Sequence, residues 1–488
     1  MSAAPQLVAG ELVSVNPATL EPVGSVAPTP PGEVADAIAA ARAAQERFAA
    51  QGLLARRRLL LAVARALLDA RDEAAALVTA ETGKPLVESL TAEVLVALDT
   101  LVWTARTLQR ALAPERVRLP PHLRHKRGVV RYEPLGVVGV IAPWNFPLGI
   151  PLTQAAAAVG AGNAVVLKPS ELTPLAGALV EELFRRAGAP EGLVRVVQGD
   201  GETVGAALAR TPGTAKLVVT GSGETGRRVA AAAAERLCPV VLELGGKDPM
   251  LVLEDADLER TVEGAVWAAF ANAGQVCAGV ERVYVARPLY EDFTAALVAR
   301  ARALRLGRGE DPATEVGPLV TEAQRARVEA LVEDALAGGA QLLAGGRRPD
   351  LGLPGWFYEP TVLAGTEGLR IEREEIFGPV VTVAPFADED EAVRRANATP
   401  YALGASVWTR DPERARRLAT RLEAGSVWTN DHAYSYGAGP VPWGGAKASG
   451  YGRTHGRLGL VELSRVTYVE ADRGRLRPPW WYPYGERA

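Results

Sequence analysis

Between residues 136 and 243, short β-branched runs alternate with helical stretches. GVVGVIA precedes a helical stretch at 148–160, AVVLKP one at 174–187, VRVV one at 202–210 and KLVVT one at 225–236, and PVVLEL closes the series. Such regular alternation leaves few folds open. Parallel strands need long crossover connections, and strands that read as unbroken apolar runs are buried on both faces, so the pattern predicts a parallel sheet covered by helices on each side. Thr173 and Pro174 read as an N-cap followed by the first helical residue, and Leu175, Leu179, Leu183 and Phe184 mark the buried face of that helix. Upstream, residues 33–49 and 55–81 place apolar side chains at helical spacing, with Leu59, Leu60, Val63, Leu67 and Leu68 on one face. Downstream, the runs LVL, RVYVA, VVTVAPF, ALGASVW and SVWTN between 250 and 430 predict a second sheeted unit.

A chain of 488 residues is too long for one core, and at about 100 to 200 residues per domain it divides into two to four. Its 48% hydrophobic and 23% charged content and net charge of −3 are those of a globular enzyme and give no pull toward nucleic acid. Apolar stretches are interrupted well before the ~18 residues of a membrane span. Two cysteines, Cys238 and Cys277, cannot build a disulfide framework, and the N-terminal segment lacks the basic-then-apolar signature of a secretion signal. These features predict a soluble cytoplasmic protein. Four scattered histidines and the cysteine spacing predict no metal site.

Two segments carry chemistry on their own. Cys277 lies in FANAGQVCAGVERV (270–283) among small residues that leave a sulfur reachable, whereas Cys238 precedes the apolar strand PVVLEL and reads as core. GSGETG (221–226) follows the strand KLVVT and opens a helix, which satisfies the G-x-G-x-x-G dinucleotide pattern. Read literally, that fingerprint makes Glu243 the acid that grips a ribose. The competing reading of GSGETG is a plain strand-to-helix turn.

Six segments taken together carry more than either alone. PWNFP (143–147), LKPSE (167–171), LELGGKDP (242–249), GQVC (274–277), EEIFGPV (374–380) and PWGGAKASGYGR (442–453) occur in that order. The chain resembles the aldehyde dehydrogenase superfamily from about residue 12 to 471. The resemblance implies a doubly wound cofactor-binding domain (1–119 and 138–245), an α/β catalytic domain (246–446) and a small β bridging element (120–137 and 461–471) that builds a homodimer or homotetramer. It implies that Cys277 is the nucleophile, that Asn145 and the Cys277 amide hold the oxyanion, and that Glu243 activates the water that hydrolyses a thioester. This displaces the ribose reading of Glu243, because it accounts for six segments where the fingerprint accounts for one.

The ribose passes instead to Lys168, which also counts with the catalytic set, and to Glu171. An acid facing the 2′-hydroxyl repels a 2′-phosphate, so NAD is favoured, with NADP still admissible. Trp144, Ser170, Gly201, Gly221, Ser222 and Leu244 complete the cofactor set, with Glu375 and Phe377 at the nicotinamide end. Lys247 reads as a structural residue of the ELGGK turn. The implied substrate tunnel is Phe146, Ile150, Thr153, Val276, Ala278, Ala433 and Tyr434, none of them charged, which points to an uncharged aliphatic or aromatic aldehyde.

Two rivals remain: an acylating dehydrogenase that passes the acyl group to coenzyme A, and a catalytically silent member of the same fold. Glu243 weighs against the first, and Cys277, Glu243 and Asn145 together weigh against the second. PWGG stands where the family more often has PFGG, an aromatic for an aromatic. Residues 472–488 form a tail with Trp480, Trp481, Tyr482 and Tyr484, expected to pack on its own or a neighbouring subunit. The contrast between the two cysteines gives a direct expectation. Cys277→Ala should abolish dehydrogenase activity while Cys238→Ala leaves it intact, and iodoacetamide labelling with peptide mapping should find Cys277 modified as activity is lost; inactivation that tracks Cys238 would reverse the assignment.

Overall fold

A computed structural model describes residues 6–8, 10–474 and 481–482. Two parallel sheets dominate it. The first has six strands in the order Gly450–Tyr451, Val240–Glu243, Thr214–Thr220, Val137–Ile141, Ala164–Lys168 and Val194–Val196, all parallel except the short antiparallel edge at Gly450–Tyr451. Every residue of Val137–Ile141 and of Ala164–Lys168 is buried, as expected of strands covered on both faces. From Val137–Ile141 the chain winds outward through 164–168 and 194–196, then returns to the other side through 214–220 and 240–243. That reversal places a topological switch between Val137–Ile141 and Thr214–Thr220, and the crevice beyond the carboxyl ends of such strands is where this architecture binds ligands.

The second sheet has seven strands in the order Gln341–Ala344, Thr361–Ala364, Val380–Phe386, Val280–Ala286, Asp248–Val252, Gly404–Trp408 and Ser426–Thr429. Only the pair of Gln341–Ala344 with Thr361–Ala364 is antiparallel. The chain passes from the carboxyl end of Val240–Glu243 to the amino end of Asp248–Val252 through residues 244–247 alone. The carboxyl ends of one sheet therefore meet the amino end of the other. A third, antiparallel sheet pairs Lys126–Pro134 with Ser464–Asp472 and with Glu115–Val117.

The periodicity of the first hundred residues resolves into Val34–Ala49, Gly52–Asp69 and Arg71–Thr82, the expected 55–81 helix being broken at Ala70 (φ −97°, ψ 10°). Leu59, Leu60, Val63 and Leu67 are buried as their spacing predicts, while Leu68 is exposed. Thr173 does occupy the N-cap of Pro174–Arg186, but its buried hydroxyl makes no hydrogen bond. The first amides of that helix are instead held by a residue far away in sequence: Leu175 N and Ala176 N donate to the two carboxylate oxygens of Glu81 at 3.1 and 2.7 Å. An acid at a helix N-terminus satisfies orphan amides and the helix dipole together. Spacing rules see only a local cap, so the sequence hides this one.

Trp480 and Tyr484 lie outside the described residues. Trp481 and Tyr482 are more than half exposed on the single chain.

Candidate active site

The loops at the junction of the two large sheets carry the residues singled out above. Cys277 follows a turn, Ala271–Gly274, whose Asn272 (φ 51°) and Ala273 (φ 54°) both adopt left-handed backbone. Such conformations cost of order 1–3 kcal/mol each in a non-glycine residue and persist only where the surroundings hold them. Gly274 completes the turn at φ 71°, and a Cβ there would collide with the Gly378 carbonyl. The strand Val280–Ala286 begins three residues after Cys277, so the sulfur sits at the amino edge of the second sheet. It is half-buried against Ala278, Leu403, Trp428, Ala433 and Trp443.

Burial pushes the Cys277 thiol up, and the nearby carboxylates of Glu375, Asp248 and Glu243 push it further; the Ala278 amide opposes them. Glu243 ends its strand 4% exposed, and neither of its oxygens makes a hydrogen bond. Burial holds its carboxyl well above the usual range, against the pull of Arg453. Asn145, also buried, donates from Nδ2 to the Gln275 carbonyl at 3.0 Å, which ties it to the residue two positions before Cys277. One of its two amide hydrogens is used in that bond, and the other is available to a ligand.

The expected cofactor residues have the following surroundings. Lys168 ends its strand and pairs with Glu171 at 2.7 Å. Trp144 meets Phe377 edge-on, with ring centroids 5.4 Å apart, and Phe377 has φ 57°. Glu375 accepts from the Gly246 amide at 3.0 Å and is pushed up to about 7, first by burial and then by Glu281. Ser222 caps the helix Gly223–Ala234 by accepting from Thr225 N at 3.1 Å. A Cβ at Gly201 would meet nothing within 4 Å and one at Gly221 only Thr225 at 3.8 Å, so the main chain is open to a ligand at both. Ser170 is buried with its hydroxyl turned to the Leu172 amide, and Leu244 is buried, its amide on the Ser449 carbonyl and its side chain against Gly226. Open glycine backbone, a helix N-terminus and an acid–lysine pair at strand ends suit a dinucleotide with free ribose hydroxyls. Among the described residues no cluster of His, Cys, Asp and Glu could hold a metal ion.

The tunnel residues divide. Phe146 and Ile150 are buried beside Asn145, Val276 and Ala278 flank Cys277, and Ala433 (φ 56°) packs over it. Thr153, 1% exposed, turns its hydroxyl to Ile150 O and His455 and lines an enclosed cavity with Gln154 and Arg453. Tyr434 is 73% exposed and meets Trp267 of the helix Leu258–Phe270, ring centroids 6.4 Å apart.

Several residues at the site escaped the sequence reading. His432, counted only as a scattered histidine, donates from Nε2 to the Ala278 carbonyl at 2.8 Å while Nδ1 accepts from Ser406 Oγ at 3.0 Å; burial pushes it down to about 4, which keeps it neutral. Lys84, Glu88 and Glu93 enter from the first hundred residues. Glu88 accepts from the Asn272 amide at 2.9 Å and is pushed up to about 7 by burial, with Lys84 opposing. The sequence reading did not mark that segment, because the partners of these side chains lie far along the chain. Lys247 pairs with Glu281 at 2.5 Å in the interior, in keeping with a structural residue.

The profile of the Aldehyde dehydrogenase family matches residues 7–469. A betaine aldehyde dehydrogenase of Rhizobium etli (strain CIAT 652) is 40% identical over 469 residues, covering 96% of this chain and 95% of its own, and the same figures hold for betaine aldehyde dehydrogenase 1 of Rhizobium meliloti (strain 1021). Among solved structures, the NAD+ complex of an aldehyde dehydrogenase from Bacillus cereus superposes with a TM-score of 0.91 at 36% identity, covering 95% of this chain and 93% of that one. A betaine aldehyde dehydrogenase from Staphylococcus aureus in complex with NAD+ gives 0.92 at 34%, covering 96% of each. The chain belongs to the aldehyde dehydrogenase family. It is an NAD-dependent aldehyde dehydrogenase.

The electrostatics of the thiol set a pH dependence. A raised thiol pKa leaves little thiolate at neutral pH and more as pH rises. In the cofactor-free protein, alkylation of Cys277 by iodoacetamide should therefore accelerate about tenfold per pH unit from 7 to 9, followed by loss of activity; a rate that levels off below pH 8 would contradict the burial and charge of the site.

Proposed function

We propose that the chain oxidises a small quaternary-ammonium aldehyde to its carboxylic acid, with Cys277, Asn145 and Glu243 as the catalytic residues. The observation that carries the catalytic part is their convergence where the two sheets meet: a half-buried thiol, an amide donor bonded to the loop that carries it, and a buried carboxyl without a hydrogen-bond partner. The Cys277 thiolate adds to the carbonyl carbon, and the oxygen becomes an anion that the Asn145 side chain and the Cys277 amide stabilise, each such donor being worth about 2.7–4 kcal/mol. NAD, when bound, would supply the acceptor for the hydride that leaves the thiohemiacetal carbon. A thioester remains on Cys277. Glu243 then takes a proton from water, whose oxygen attacks the thioester carbon, and the acid departs as the sulfur is released. A raised carboxyl pKa suits a group that must accept a proton near neutral pH. Lys168 and Glu171 hold the adenosine ribose in this reading, Trp144, Gly221 and Ser222 the pyrophosphate, and Glu375 and Phe377 the nicotinamide end, with Ser170, Gly201 and Leu244 as neighbours.

The substrate class rests on the rhizobial relatives and on the aromatic faces near the loop over Cys277. Trp267 and Tyr434 expose π surface there, and a cation over such a face gains about 0.5–2 kcal/mol. The uncharged lining favours a second reading, a neutral aliphatic or aromatic aldehyde. Cytoplasmic location and assembly through the Ser464–Asp472 sheet belong to the same proposal, supported by two free cysteines and by the exposed Val466, Tyr468 and Val469.

Betaine aldehyde and 3,3-dimethylbutanal have nearly the same shape and differ by one charge. The cation should be preferred in kcat/KM by about tenfold, as one cation–π contact allows; equal values would favour the neutral reading. Glu243→Gln should bind NAD normally and turn over about 10²–10⁴-fold more slowly, and weakened NAD binding with intact thioester hydrolysis would return Glu243 to the ribose.

A further inference from the structure

The segment 83–95 belongs to the helical layer of the first hundred residues, yet it reaches the centre of the site. It runs through a π-helical turn, Ser89–Leu95, an irregularity that re-aims side chains and often accompanies function. Lys84 and Glu93, nine residues apart, form an ion pair at 2.8 Å whose side chains are both 0% exposed. A buried charge pair is expensive to desolvate and is a weak source of stability, so what its hydrogen bonds hold matters more than the pair itself.

Those bonds converge on Asn145. Lys84 Nζ donates to the Asn145 main-chain carbonyl at 2.7 Å and lies 4.2 Å from the centre of the Phe146 ring. The second oxygen of Glu93 accepts from Leu148 N and Gly149 N at 3.2 and 2.6 Å, at the start of the fully buried helix Gly149–Ala161. Residues 145–149 are thus gripped at both ends by one ion pair. Asn272 Nδ2 donates to the same Asn145 carbonyl at 3.2 Å and to the Gln275 carbonyl at 3.1 Å, and the Asn145 side chain donates to Gln275 O as well. The Asn145 carbonyl is the point where the pair, the strained turn and the loop of Cys277 meet.

We propose that Lys84, oriented by Glu93, is a positioning residue for the oxyanion site: it fixes the Asn145 main chain, and so the aim of the Asn145 side-chain N–H relative to Cys277. The proposal rests on the reading of Asn145 and Cys277 given above. Freed from Lys84, the segment 145–149 keeps its fold but loses its register against the Gln275–Cys277 loop. A displacement of about 1 Å in such a group lowers rate by as much as 10²-fold.

The test is a double-mutant cycle on the full-length protein. The charge-neutral change Lys84→Met with Glu93→Gln removes both charges together and leaves an amide oxygen for the helix amides. It is made with Asn145 intact and with Asn145→Ala, and hydride transfer is followed in single turnovers alongside NAD affinity and the melting temperature. With Asn145 intact, the rate should fall 10- to 100-fold while NAD affinity stays within twofold. With Asn145→Ala the same change should cost less than threefold, because the donor it positions is gone. A merely structural role would lower the rate equally in both backgrounds, and that result, or an unchanged rate with Asn145 intact, overturns the proposal. If Asn145→Ala alone leaves hydride transfer unaffected, the oxyanion reading fails and the inference with it, which separates the two failures. Should the double change fail to fold, Glu93→Gln alone, nearly isosteric, carries the same cycle with the same criterion.

Discussion

The site depends on a close main-chain crossing. Residues 244–247 take the chain from the end of one parallel sheet to the start of the other, and at its two glycines no side chain fits. A Cβ on Gly245 would strike the Glu375 carboxylate, and one on Gly246 the Cys277 carbonyl. Lys247 then anchors the crossing through Glu281, whose carboxylate also accepts from the amides of Ile376 and Phe377, while Arg282 donates to the Lys247 carbonyl at 3.0 and 2.7 Å. One set of buried bonds fixes the distances among Glu243, Cys277 and Glu375. Glu243 ends a strand, while Cys277 and Glu375 lie three and five residues before the strands Val280–Ala286 and Val380–Phe386.

Packing these residues so closely has an electrostatic consequence. Glu243, Glu375 and Asp248 are carboxyls withdrawn from water, each pushed up by burial before anything else, and all three oppose a thiolate on Cys277. In the cofactor-free chain, burial favours the uncharged form of each carboxyl and of the thiol. A positive charge beside the sulfur, or a higher pH, shifts that balance toward the nucleophile. Glu243 lacks hydrogen bonds to stabilise its anion, which leaves it the basicity that its proposed role in thioester hydrolysis needs.

The first hundred residues serve the site through two long-range caps. Glu81 takes the first amides of Pro174–Arg186, and Glu93 those of Gly149–Ala161. Proposed ligand-binding residues lie just before both helices, Lys168 at the end of one strand and Asn145 in the loop after Val137–Ile141. Acids on a separate helical layer thus satisfy the polar ends of buried helices, where water cannot. The arrangement couples the packing of that layer to the geometry of the crevice.

The order of strands and helices, the two sheeted units and the family were legible in the sequence, because burial on both faces forces continuous apolar runs and because six short segments have chemistry and spacing of their own. Cys277, Asn145, Glu243 and Lys168 were named from those segments; the fold ties Asn145 to the loop of Cys277 and brings Glu243 within electrostatic reach of its thiol, while Lys168 pairs with Glu171 at a strand end of the first sheet. The break at Ala70, the missing Thr173 cap and the partners of Lys84, Glu88, Glu93 and His432 were not legible. Local rules see the residues within a turn or two, while these bonds join residues 9 to 184 positions apart. The protonation states were decided by tertiary structure as well. A carboxyl or thiol has its ordinary pKa in any sequence, and only the packing of the two sheets withdrew Glu243 and Cys277 from water and set them beside one another.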